Sequence, residues 1–183
     1  MKELSLHVLD LGINSIDAEA NKITIVINED TKNDILSVEI DDDGKGMDEY
    51  TANNAVNPFV TTRKTRKVGL GIPLTEQAAK QCGGDFKIES VKGKGTRIKF
   101  SFKYFHIDRE PLGNMGQTIM TLINTNKDVD IYYKHIYDKN EFIFDTIQIK
   151  KILGSVDINS PDILLWIRDY INDNIAEIKK KMY

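Results

Sequence analysis

Leu9-Asp10-Leu11-Gly12-Ile13-Asn14-Ser15-Ile16-Asp17-Ala18 is the stretch on which the reading of this chain turns. Extended back to Glu3, it carries apolar residues at Leu4, Val8, Leu11 and Ile16. Its polar residues Glu3, His7, Asp10, Asn14 and Asp17 recur at steps of three and four. That spacing predicts a helix over residues 3–20 with one polar stripe. Most such stripes are solvated faces. Asp10 and Asn14, however, are four apart and project together. A carboxylate can serve as a general base, and an asparagine carbonyl is a hard oxygen ligand of the kind Mg²⁺ accepts. A helix presenting both suits a metal–phosphate.

Working outward, Ile23, Ile25 and Ile27 alternate with polar residues and predict a strand; Ile35 to Asp41 fits a second. Asp42-Asp43-Gly44-Lys45-Gly46-Met47 follows as an acidic turn, with a short helix near 48–56. A buried aspartate there can accept a hydrogen bond from the exocyclic amine of adenine, and two glycines let backbone approach a planar ring. Guanine, with a carbonyl at that position, would leave the carboxylate unpaired. Residues 57–69 read as a loop with Arg63, Lys64, Arg66 and Lys67 in five positions. Gly69-Leu70-Gly71-Ile72 then opens a helix to about Cys82, with Pro73 in its first turn. Glycines before a helix expose N–H groups to a phosphate chain, although charge runs are more often simply solvated.

Strands are expected at 85–91 and 96–105, joined by a glycine hairpin. His106–Gly113 is a charged, punctuated segment read as an interdomain linker, with a cap on the first domain or a partner contact as the other reading. Helices at about 114–124, 146–153 and 161–180 and strands near 129–136 and 141–145 make residues 106–183 a small α/β domain, in which Tyr132, Tyr133, Trp166 and Tyr170 are expected to pack a core.

The 183 residues carry 25 basic and 28 acidic side chains, a formal net charge of −3, with 40% hydrophobic residues. This excludes a disordered chain or a fibre and gives no electrostatic case for nucleic acid. No apolar run approaches the roughly 18 residues that span a bilayer. The one cysteine, Cys82, cannot form an internal disulfide, and no signal-peptide pattern follows Met1, so a cytoplasmic protein without membrane contact is expected. No phosphate loop, G-x-G-x-x-G fingerprint, metal-ligand cluster or serine triad is present.

Five segments in this order resemble the GHKL superfamily of DNA gyrase B subunits, heat-shock chaperones, sensor histidine kinases and MutL proteins. Residues 9–18 are similar to the N box, with Asn14-Ser15-Ile16-Asp17-Ala18 closest to MutL. Asp42-Asp43-Gly44-Lys45-Gly46 is similar to the first glycine box. Asn57-Pro58-Phe59-Val60-Thr61-Thr62 resembles the F box, Gly69-Leu70-Gly71-Ile72 the second glycine box, and residues 81–84 and 90–96 the end of a kinase catalytic domain. The resemblance covers residues 1–105. It implies a two-layer α/β sandwich with a mixed sheet, helices on one face, and ATP on the helical side. It implies Mg²⁺ on Asn14, adenine on Asp42 with Thr96 in support, and phosphates near Gly69 and Gly71. Asp17, Gly44, Gly46, Met47, Thr62, Arg63, Lys64, Leu70 and Ile72 complete the implied nucleotide-binding set, and residues 60–68 would be the lid. Asp10 takes the place of the glutamate that hydrolysing members carry. The two functions left open are γ-phosphate transfer to water or a partner protein, and a non-enzymatic ATP-dependent switch. In either, residues 106–183 would meet a protein partner; the oligomeric state stays open.

Overall fold

A computed structural model of the chain describes residues 2–57 and 70–180. The order of elements is α1 (Leu4–Asp17), β1 (Lys22–Asp30), β2 (Ile35–Asp42), α2 (Glu49–Asn53), α3 (Gly71–Gln81), β3 (Phe86–Val91) and β4 (Gly95–Lys103). It continues with α4 (Met115–Thr125), β5 (Asp130–Tyr137), β6 (Asn140–Asp145), α5 (Thr146–Leu153) and α6 (Pro161–Lys180). The six strands form one sheet in the order β3-β4-β2-β1-β5-β6. All neighbours run antiparallel except β1 and β5, which are parallel.

Alternation explains the two layers. Ile23, Ile25 and Ile27 on β1, Leu36, Val38 and Ile40 on β2, and Ile98, Phe100 and Phe102 on β4 are all buried. They share one core with Leu4, Val8 and Leu11 of α1, Ala79 of α3, Ile119 and Leu122 of α4, and Ile167 and Ile171 of α6. Residues between them on the strands stay partly or fully exposed, as period-two side-chain direction requires. Gly12 lets α4 approach α1: a Cβ there would lie 2.8 Å from Leu122.

Three sequence expectations need correction. Residues 106–183 do not build a second sheet: β5 and β6 extend the first, and α4 and α6 join its core. The sequence hides this because a parallel neighbour comes from far along the chain. The charged segment 106–113 is docked rather than strung between domains. Pro111 and Leu112 carbonyls accept the amides of Leu4 and Ser5 at 3.0 and 2.8 Å, which serves the first turn of α1, where Glu3 makes no side-chain cap. Finally, Tyr133 is fully buried, but Trp166 and Tyr170 stack on each other at the surface, 47% and 38% exposed.

Candidate functional site

Asp42 ends β2 on the helix-covered face, two positions beyond buried Ile40. Its Oδ1 accepts the amides of Gly44 at 2.9 Å and Thr96 at 3.3 Å; its Oδ2 accepts the Ser15 hydroxyl at 2.7 Å. A carboxylate has about four lone-pair sites. Three are filled, which leaves one acceptor site on Oδ2. Thr96 faces Asp42 across the β2–β4 pair. Its hydroxyl shares a 2.8 Å hydrogen bond with Ser90, whose Oγ also accepts the Met47 amide at 2.8 Å. The turn after Asp42 is therefore held against the β3–β4 hairpin. Gly46 makes that possible: at φ +60° a Cβ would lie 2.1 Å from the Val91 carbonyl. Asp43 is structural, accepting the amides of Asn21 and Lys22 at 2.7 and 2.8 Å.

On α1, Asp10 and Asn14 meet the start of α3. A Cβ at Gly71 would lie 1.7 Å from Asp10 Oδ2 and 3.7 Å from Asn14 Nδ2. Only glycine lets this backbone sit on the carboxylate. Leu70, the N-cap residue of α3, makes no side-chain cap among the described residues, and the first-turn N–H groups of Gly71 and Ile72 carry the positive end of the helix dipole. The polar stripe of α1 is half-buried: His7 is 1% exposed, Asp10 and Asn14 are intermediate, and Asp17 is exposed.

The structure thus brings together Asp10, Asn14 and Gly71 in one group, and Asp42, Gly44, Gly46, Met47 and Thr96 in another. Ser15, one residue from Asn14, bridges the helix of the first group to the carboxylate of the second. Leu70 and Ile72 flank Gly71. Thr62, Arg63, Lys64 and Gly69, with Phe59, lie outside the described residues. Sequence reasoning missed Ser15 and Ser90 as supports. Ser15 has a legible signal, a hydroxyl on the buried side of α1 one turn after Leu11. Ser90 has none before strands β3 and β4 are paired.

No group of three His, Cys, Asp or Glu side chains able to hold a metal exists among the described residues. Asn14 supplies a single neutral oxygen. That donor set fits Mg²⁺, which keeps its waters and is held chiefly by the phosphates it accompanies. Among the described residues no helix is long and apolar enough to cross a membrane.

A family model described as histidine kinase-, DNA gyrase B-, and HSP90-like ATPase matches residues 2–106. A putative sensor protein of Shewanella frigidimarina is 37% identical over 79 residues, 43% of this chain and 12% of that protein. Sporulation kinase C of Bacillus subtilis is 29% identical over 96 residues, 52% of this chain and 22% of that protein. The chain therefore spans less than a quarter of the length of these curated relatives. Among solved structures, the MutL ATPase domain of Aquifex aeolicus complexed with ADP superposes with a TM-score of 0.51 and 12% identity, over 84% of this chain and 69% of that one. At that identity the likeness is one of fold. It takes in more of the chain than residues 2–106, as expected where β5 and β6 belong to the same sheet.

Proposed function

Since this chain belongs to the histidine kinase-, DNA gyrase B- and HSP90-like ATPase family, we propose that it binds Mg²⁺–ATP between α1, α3 and the Asp42 end of the sheet and transfers the γ-phosphate to water or to a partner protein. The observation that carries this reading is the meeting of two chemistries on one helix. Asp10 and Asn14 face the start of α3, and Ser15 of the same helix holds Asp42 with one acceptor site left over.

Each residue has a physical task. Asp42 takes the exocyclic amine of adenine on Oδ2, and Thr96 and Gly44 keep the carboxylate turned toward it. Gly71 and Ile72 offer N–H groups and a helix dipole to the phosphate chain. Asn14 holds the metal by its amide oxygen; the metal, when bound, neutralises charge on the phosphates. Asp10 orients the attacking hydroxyl and accepts its proton. Arg63 or Lys64, outside the described residues, would add a cation to steady the phosphates. Residues 106–183 present a surface to a protein partner. Absence of turnover with intact nucleotide binding would instead favour the switch function, for which the shorter Asp10 side chain speaks.

Calorimetric titration with ATP and GTP tests the adenine contact. ATP should bind, and GTP should bind more than about a hundredfold more weakly, because guanine leaves the Asp42 acceptor unpaired. Asp42→Asn should weaken ATP by roughly 10- to 100-fold, the worth of a hydrogen bond to a charged group. Equal affinity for both nucleotides would overturn the assignment.

A further inference from the structure

The site reaches beyond the residues that the family covers. Glu110, four residues past the end of the match at residue 106, places its Oε2 3.2 Å from His7 Nε2. The other ring nitrogen, Nδ1, is 2.9 Å from the Thr75 hydroxyl. That hydroxyl is 2.9 Å from the Gly71 carbonyl. Gly71 in turn lies against Asp10. His7 and Thr75 are 1% and 0% exposed, so the chain of contacts runs through protein where hydrogen bonds are strong and their loss costly. The segment that carries Glu110 is itself secured. Arg109 donates to the Tyr104 carbonyl at 2.6 Å and to the Glu110 carbonyl at 3.0 Å, and its guanidinium lies 4.9 Å from the centre of the Tyr104 ring. Two carbonyls further on accept the first amides of α1.

We propose that Glu110 is a positioning residue: acting through His7 and Thr75, it fixes the first turn of α3 against Asp10, and so ties the geometry of γ-phosphate transfer to the segment 106–113. The effect on transfer rests on the function proposed above; the positioning of α3 does not. The contacts divide the labour. Segment 106–113 holds α1 by backbone bonds at Leu4 and Ser5, while the Glu110 carboxylate meets His7 of α1, whose other ring nitrogen meets Thr75 of α3. Thr75 is the joint: with Nε2–H donated to Glu110, the neutral His7 ring accepts a hydrogen bond from the Thr75 hydroxyl at Nδ1, and Thr75 stands one turn after Gly71 in α3. Removal of either end should leave the fold in place and let the α3 start drift. A drift of about an ångström at a reacting group costs about a hundredfold in rate.

The test compares Glu110→Ala and Thr75→Val with the conservative Glu110→Gln and Thr75→Ser in the full chain. Amide hydrogen exchange over residues 71–77, nucleotide affinity and turnover are read together. Glu110→Ala and Thr75→Val should speed exchange at the start of α3 by about fivefold or more, the worth of one net hydrogen bond, and leave β5 and α6 unchanged. Turnover at saturating nucleotide should fall about tenfold or more, and Glu110→Gln and Thr75→Ser should restore both readouts. Unchanged exchange at α3 in both disruptive variants overturns the proposal. So does a parallel loss of exchange protection across the whole chain, which would make the contacts merely structural. A wild-type protein without turnover removes the phosphate-transfer function alone, and exchange still decides whether Glu110 positions α3.

Discussion

At the scale of single residues, the proposed chemistry rests on two features: the spare acceptor site on Asp42 and the seat of Gly71 on Asp10. Gly71→Ala puts a methyl where the Asp10 carboxylate now lies, so the carboxylate must swing away. Turnover should drop roughly 100-fold, as expected of an ångström-scale displacement, while thermal unfolding shifts little because the substitution removes no core side chain. A steady-state assay beside a melting curve reads both. Much of this was legible in sequence. Asp10 and Asn14 announce themselves by helical spacing, and Asp42 by its glycine-punctuated turn. The supports were less so. A serine on an apolar stripe reads as tolerated rather than as a donor to a carboxylate 27 positions away. Nothing local marks Thr75 as the partner of a histidine 68 positions earlier.

At the scale of elements, the periodic segments were readable because burial imposes period two on strands and 3.6 on helices. Segment 106–113 was not, since its role is to supply backbone carbonyls to α1, and carbonyls leave no trace in side-chain pattern. Its contact with His7 has a consequence for pH. Burial holds the His7 imidazole below its ordinary value of 6.5, with the Glu110 carboxylate, and more weakly Asp10, pulling the other way. The unfolded chain therefore takes up a proton that the folded chain resists. That contribution to stability is present above pH 6.5 and is lost as pH falls below it through the depressed folded value. Melting temperatures measured from about pH 8 to about pH 5 should fall in the wild type and fall less steeply in His7→Gln. Identical slopes would contradict a buried, proton-resisting His7.

At the scale of the molecule, one sheet carries everything. The far end of β1 holds a second buried polar group. Glu29 accepts from His135 Nε2 and from Lys179 Nζ, each at 2.7 Å, and the Tyr133 hydroxyl meets His135 Nδ1 at 2.6 Å. Burial alone would raise the Glu29 carboxyl, but the His135 hydrogen bond and the Lys179 ammonium hold it below its ordinary value. The last turn of α6 is thereby fastened to β1. Continuity of this sheet was the part least legible in sequence, because the β1–β5 pairing joins residues more than a hundred positions apart. It predicts that residues 1–105 alone do not fold, since the β1 edge and the α4-facing side of α1 would be bare. It also predicts that Ile167→Ala lowers the stability of the whole chain by about 2–5 kcal/mol in a single transition. A folded 1–105 fragment, seen by dispersed amide resonances, would contradict it. Under the proposed function, Asp10 does chemistry and Asp42 does binding. The most direct measurement incubates the intact chain with Mg²⁺ and ATP labelled on the γ-phosphate, beside Asp10→Asn and Asp42→Asn. Label should leave ATP in the wild type alone; Asp10→Asn should still bind ATP with near wild-type affinity, and Asp42→Asn should not. Label retained on ATP by the wild type, or equal loss of affinity in both variants, would contradict the proposed function.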